Sequence, residues 1–198
     1  QLILLGYKVL ILRNKYMKKL IYLLIIVVLG VLGYQFFTKT GLFNQPLSPK
    51  DTAGIKINDL DLKVVYNRPS KRNRDIFGAL VPFNKVWRTG ANEATTFESN
   101  HDLSVNGVKL PKGKYTLWTV PMENNWKVMF NSKQYDWGVN EKMEPNWDPN
   151  YDVVEVEVPA LTLDKPVEQF TVAFDNSTDD LKMTMAWDTV KIEVPLKD

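Results

Sequence analysis

The 198-residue chain contains no cysteine and a single histidine, His101. Without thiols it has no disulfides, thiolate metal centres, cysteine nucleophiles or cysteine-linked lipid anchor. The lone histidine is followed by Asp102, and neighbouring residues on a strand point to opposite faces. The pair therefore cannot form a His–Asp relay without a bulge. No serine sits in a G-x-S-x-G elbow, so a serine hydrolase has neither nucleophile nor base in place. Zinc is equally ill served, and nothing in the sequence calls for a cofactor.

Acidic residues are missing from residues 1–37, which carry five basic ones: Lys8, Arg13, Lys15, Lys18 and Lys19. Removing those five from the 25 basic residues leaves 20 against all 23 acids, a net charge of −3 for the remainder. That remainder lacks the broad basic surface a nucleic-acid binder needs, so no nucleic-acid partner is expected.

What the amino terminus does have is a long apolar run. "LIYLLIIVVLGVLGYQFF", Leu20 to Phe37, is broken only by Gln35 and two glycines. As a helix it reaches about 27 Å, close to the ~30 Å hydrocarbon core of a bilayer. Its basic flank lies on the amino side, in "RNKYMKK", which places that end in the cytoplasm and exports the rest. The run is longer than a signal-peptide core, and no small-x-small cleavage site follows it, which favours an uncleaved anchor. Met17 reads as a natural start. The expected organisation is an upstream, non-native or cytoplasmic segment over 1–16, a transmembrane signal-anchor over 17–37, a linker over 38–54 and an exported domain over 55–198. The location expected is a single-pass membrane protein with its carboxyl-terminal domain extracytoplasmic, in the periplasm.

From Ile55 onward the apolar period is two. "WKVMF" aligns Trp126, Val128 and Phe130, and "FTVAF" aligns Phe170, Val172 and Phe174. "LKMTMAW" aligns Leu181, Met183, Met185 and Trp187, while "VVEVEV" and "VKIEV" alternate in the same way. Such strands have one buried and one wet face, as antiparallel sheets do. Asn106-Gly107, between "LSV" and "VKL", is a strong hairpin signal. Turn signals recur about every ten residues, and no long amphipathic helix interrupts them. The fold class is all-β: an antiparallel β-sandwich of eight or nine strands, immunoglobulin-like or jelly-roll-like, preceded by one transmembrane helix.

The exported part has only four arginines, Arg68, Arg72, Arg74 and Arg88, all within 21 consecutive residues. Concentrated guanidinium groups suit carboxylate or phosphate, whereas a solvated "RPSKRNR" loop with Arg88 paired to Glu93 is the plainer alternative. In "KVWRTGANEATTF", Thr89-Gly90 forms a turn that leaves Arg88, Asn92 and Glu93 around a bend. Three readings stay open: a polar knot tying a corner, a site in which Arg88 and Asn92 orient a ligand while Glu93 accepts from it, or catalysis by Glu93. The candidate ligand-binding residues are Arg68, Lys71, Arg88, Asn92, Glu93 and Trp137, with no catalytic residue assigned. Trp147, like Trp137, lies in the turn-rich 131–152 segment, and a loop tryptophan suits sugars or ligand rings. Asp148, Asn150 and Asp152 alternate like the start of a calcium loop, with Asn146 before them and Glu157 at the twelfth position. Tyr151 stands where such a loop needs glycine, and an Asx-rich turn accounts better for the pattern.

The run "FGALVPFNKVWRTGANEATTF", preceded by "YNRPSKRNRDIFG" and followed by "LPKGKYTLWTVP", resembles the domain of unknown function 2911. The resemblance covers about residues 55–195 and extends to "WKVMFN", Trp137-Gly138 and "AWDTVKIEVP". It implies a small all-β exported domain of the Bacteroidota cell envelope with no established activity, and it carries over no catalytic residue. Family members often follow a cleavable signal, whereas this chain has a long apolar segment. The expected function is a membrane-anchored extracytoplasmic binding module, without catalysis, for a small anionic or a carbohydrate ligand. The alternatives are an accessory subunit with an envelope protein partner, or a hydrolase or isomerase using Glu93 and Arg88.

Overall fold

The computed structural model describes residues 2–40, 46–178 and 180–198, with side chains for 16–36, 46–178 and 180–198. By compactness the chain divides into two units, residues 1–46 and 47–198. The first is one helix, α1 (Leu2–Thr40), into which residues 2–16 run without a break. Within it, Tyr16–Phe36 has a mean hydropathy of 2.1 and the length to cross a membrane. Apolar residues surround that stretch on every side, which suits lipid better than one buried face would.

The strands of the second unit all pair antiparallel. Its strands are β1 (Lys50–Ile57), β2 (Leu60–Asn67), β3 (Thr96–Ser99), β4 (Leu103–Val105), β5 (Val108–Leu110), β6 (Gly113–Pro121), β7 (Asn125–Asn131), β8 (Asp152–Asp175) and β9 (Lys182–Lys197). Their hydrogen-bonded order is β1-β2-β3-β6-β7-β8-β9-β4-β5. The turn at Asn106-Gly107, with both residues at positive φ, joins β4 to β5 as its composition requires.

One strand makes this ribbon into a sandwich. The amino half of β8 pairs with β7, and from Ala160 onward its carboxyl half pairs with β9. The ladder breaks between Thr162 and Val167, where "LDKP" places a proline that cannot donate to it. Segments that look like two strands in the sequence are thus one bent strand. The two layers close on each other through contacts such as Tyr66 of β2 with Phe170 of β8, whose ring centroids are 5.8 Å apart. The Tyr66 hydroxyl both donates to Val172 O and accepts from Val172 N.

The first strand starts at Lys50, inside the segment expected as linker. "KDTAG" has no apolar alternation; its backbone pairs residue by residue with β2, from Lys50 opposite Asn67 to Gly54 opposite Lys63. Residues 41–45, the middle of that expected linker, lie outside the described residues. The core is drawn from residues 60–196, including Leu62, Val64, Phe97, Leu117, Phe130, Phe170, Met183 and Val194, all with less than 5% exposure. It is complete within residues 47–198, so that unit folds on its own.

At one end of the sandwich, Phe77, Trp87, Trp126, Phe170 and Trp187 form an aromatic cluster, with Trp87 stacked on Trp187 at 6.0 Å and 16°. Each such pair adds about 0.5–1.5 kcal/mol beyond the area it buries. A smaller cluster lies on the outer face of β6 and β7, where Ala94, Trp118 and Met129 are covered by Val86, Val120, Tyr135 and Trp147. Both faces of β6 are buried for this reason, and the 132–151 segment is held close over the sheet.

Candidate functional site

Residues 68–95 connect β2 to β3 across the end of the sandwich. Trp87 pins the middle of this connection: its backbone N–H donates to Thr119 O (2.7 Å), and Thr119 N–H returns a bond to Trp87 O (3.0 Å). Thr89, at φ 55°, is buried, its hydroxyl 3.1 Å from that of Thr119. Gly90, at φ 145°, follows it, and a Cβ there would stand 2.8 Å from Asn67 O. The turn expected at Thr89-Gly90 therefore needs glycine for both its conformation and its closeness.

Between this connection and the 139–147 segment lies a cavity of about 780 Å³. The indole rings of Trp87, Trp147 and Trp187 line it, with Leu80, Val86, Val139 and Met143. Arg72, Arg74, Lys85 and Arg88 line it too, against a single acid, Glu144. Four cations against one carboxylate give the cavity a positive field.

Arg88 differs from the other arginines. Arg72 donates from Nη2 to Leu47 O (3.0 Å), and Arg74 donates to Lys71 O (3.0 Å) and Ser70 O (2.6 Å). Arg68 donates to Phe170 O, Asp51 Oδ2 and Thr171 Oγ1 at 2.9–3.2 Å, fastening the connection to β1 and β8. Arg88 makes no hydrogen bond or ion pair with the described residues, and its Nε is buried without an acceptor. Desolvation alone pushes its pKa below arginine's usual value. Its stem lies against Gly138, where a Cβ would overlap Arg88 Cδ and stand 2.9 Å from Arg88 Cβ. Gly138 in turn donates from its backbone N–H to Asn92 O (2.9 Å).

The structure separates the residues that the sequence grouped. Arg88 and Glu93 do not pair. Asn67 Nδ2 donates to Glu93 Oε2 (2.6 Å), and Lys50 Nζ lies 3.6 Å from Glu93 Oε1. Glu93 faces a second, smaller cavity of about 370 Å³, with Asn67, Lys114 and Tyr135. Its own backbone amide does most to hold its carboxyl below the usual glutamate range; partial burial opposes this, and Asn67 and Lys50 reinforce it. Adjacent residues around a bend project to different sides of the wall, which is why "RTGANE" divides here.

Asn92, at φ 58°, sits in that wall, its Nδ2 3.5 Å from both Ser48 O and Asn67 Oδ1. Lys71 is paired with Asp188 outside the cavity lining. Trp137 is half exposed and is not among the residues that line the large cavity. Arg72 and Arg74 belonged to the arginine set read as suited to an anion but were not among the candidate binding residues; the cavity residues the sequence did not single out as a site are Lys85, Trp87 and Trp187. The concentration of arginine was the available signal; which arginine lacks a partner was not.

The Asx-rich segment forms a cap. Asp148 Oδ1 accepts from Asn150 N (3.1 Å) and Asn150 Nδ2 (2.9 Å), closing the 3-10 turn Pro149–Tyr151. Asp152 Oδ1 accepts from Asn131 Nδ2 (2.8 Å) and Trp147 Nε1 (3.1 Å), which fixes Trp147 over the cavity. Burial raises the Asp152 pKa, and those two bonds partly oppose the rise. The side chains of the calcium-like pattern at Asp148 and Asp152 thus accept from nearby donors. Among the described residues no three His, Cys, Asp or Glu side chains gather as a metal site would require.

The family model described as Protein of unknown function (DUF2911) matches residues 48–196, from just before β1 to near the end of β9. No curated protein and no solved structure matches the chain.

Proposed function

We propose, from the premise that the chain belongs to the family of proteins of unknown function DUF2911, that it is a membrane-tethered module binding a small anionic ligand without catalysis. One observation carries this reading. Arg88 presents a guanidinium without a partner among the described residues at a large cavity whose other arginines, Arg72 and Arg74, are held in place by backbone carbonyls. A partly buried cation left unpaired is costly to the fold, and an anion at its accessible Nη groups supplies the countercharge it lacks. Pockets of about 300–1,000 Å³ with a few convergent polar groups are the usual form of small-molecule sites.

The catalytic alternative loses support because Glu93 and Arg88 face different cavities, and Glu93 is held as a carboxylate near neutral pH. Within the large cavity Glu144 is the only acid, and it accepts from Asn140 Nδ2 (3.1 Å). A pair of carboxylates for general acid–base work has no second member among the described residues there.

The test is an anion screen by thermal melting on residues 47–198 and on the Arg88→Ala variant. A ligand at about a hundred times its Kd stabilises by ~2.7 kcal/mol, and that gain should disappear in the variant. Identical shifts in both proteins would remove Arg88 from the site. The tether and its orientation rest on the apolar helix and on Lys18 and Lys19 at its amino side. Protease added outside sealed cells with a permeable outer membrane should digest the β domain; a fully protected domain would reverse the orientation.

A further inference from the structure

Resting on that reading, we propose that the ligand is an amphiphilic monoanion, such as a medium-chain or aryl carboxylate, with its charged head on Arg88 and its apolar body against the tryptophan wall. A sugar, a sugar acid or inorganic phosphate does not fit the same lining.

The cavity's neutral polar groups are largely closed. The indole N–H of Trp87 donates to Gly90 O (3.2 Å), that of Trp147 to Asp152 Oδ1 (3.1 Å) and that of Trp187 to Glu168 O (3.2 Å). Trp87 and Trp147 therefore offer the ligand only ring surface, and the buried Trp187 backs Trp87. The remaining neutral side chains able to hydrogen-bond are Ser48 and Ser70. A polyol needs a donor or acceptor for nearly every hydroxyl it loses from water, and one left unpaired costs affinity. An acyl chain or aromatic ring needs none and gains from burial against Trp87, Trp147, Val139 and Met143.

The head group follows from Arg88. Its Nε is sealed against the wall, so the terminal Nη groups are the donors that the cavity receives. A carboxylate placed end-on takes both in a two-point bond. A multiply charged phosphate would want several free guanidinium groups converging on it. Arg72 and Arg74 instead spend donors on Leu47 O and on Ser70 O and Lys71 O, which holds them in fixed orientations along the lining, and Lys85 adds a point charge rather than a second fork. Leu80 and Met143, which line the cavity, are also largely exposed, at 45% and 73%, so an apolar body meets hydrocarbon at the entrance.

Fluorescence of anilinonaphthalene sulfonate, an aryl monoanion, bound to residues 47–198 gives the readout, with dodecanoate below its micellar concentration, glucuronate and inorganic phosphate as competitors. Dodecanoate should displace the dye, and the two polar anions should not. Arg88→Ala should weaken dodecanoate about tenfold to a hundredfold, the loss expected for a hydrogen-bonded charge pair, and Arg88→Lys should weaken it less. Met143→Asp alters an exposed position and should weaken dodecanoate while leaving the melting curve cooperative, so the inference stays testable if an Arg88 variant misfolds. Displacement by glucuronate or phosphate but not by dodecanoate, dependent on Arg88, would overturn this inference and leave the anion-binding reading intact. Absence of dye binding and of competition by any anion would sink both. Sedimentation with phosphatidylglycerol vesicles, without displacement by dodecanoate, would assign the basic and apolar rim to a lipid surface and overturn the proposal.

Discussion

Replacing Arg88 by methionine separates a residue kept for a ligand from one kept for the fold. Methionine retains the length of stem that lies against Gly138 while deleting the guanidinium. In the free protein that guanidinium has no partner among the described residues, and its buried Nε carries an unmet donor. An unsatisfied buried donor costs about 1–3 kcal/mol, and because part of the side chain reaches the cavity the lower end applies. Arg88→Met should therefore leave residues 47–198 unchanged or more stable by about 1 kcal/mol, a rise of about 2–4 °C in Tm for a domain of this size. Had Arg88 been the centre of a hydrogen-bonded knot, its removal would cost about 3–5 kcal/mol and lower Tm by roughly 10 °C. Circular dichroism melts of the two proteins without added anion decide the matter. A fall of more than a few degrees would refute the reasoning, because it would mean that Arg88 is bonded within the protein.

Arg68→Ala should behave in the opposite way, losing about 1–3 kcal/mol in urea titration, since Asp51, Phe170 O and Thr171 Oγ1 all lose their donor. Gly138→Ala should lose about 1–3 kcal/mol by overpacking against the Arg88 stem. The share due to Arg88 Cδ should return in the Gly138→Ala, Arg88→Ala double variant, while the contacts with the Cβ of residue 88 and with Asn92 O remain; strictly additive losses would show that the new methyl does not meet the Arg88 stem beyond its Cβ. Asp152→Asn keeps an oxygen to accept from Trp147 and Asn131 but removes the buried charge. Because the folded-state pKa of Asp152 is raised, its charge costs stability as pH climbs through that pKa and costs nothing below the usual aspartate value. The variant should therefore gain on wild type as pH rises from about 4 to 7, and a stability gap that does not change over that range would count against the assignment.

Much of the fold is written locally. Alternation with period two in Phe170–Phe174 or Leu181–Trp187 requires only that every second side chain leave water, and a left-handed Asn-Gly pair closes a hairpin whatever surrounds it. The apolar run before Phe37 is legible on the same terms, because length and composition alone make a helix that can cross a bilayer. Even the arginine concentration marked the connection that closes one end of the sandwich. What the sequence did not carry is which partners those side chains meet. The bend in β8 that joins two apparent strands is settled by pairing with β7 on one side and β9 on the other. Trp118 lies on the β6 face opposite the main core, yet it is buried because Tyr135 and Trp147, 17 and 29 residues further on, fold back over it. Arg68 and Arg88 look alike in sequence. Arg68 is consumed by residues 17 to 103 positions distant, and Arg88 is left facing a cavity because Glu93 turned to Asn67 instead. Partner choice of this kind depends on three-dimensional closeness that no spacing along the chain encodes, so the tertiary structure alone decided where the charge went unmatched.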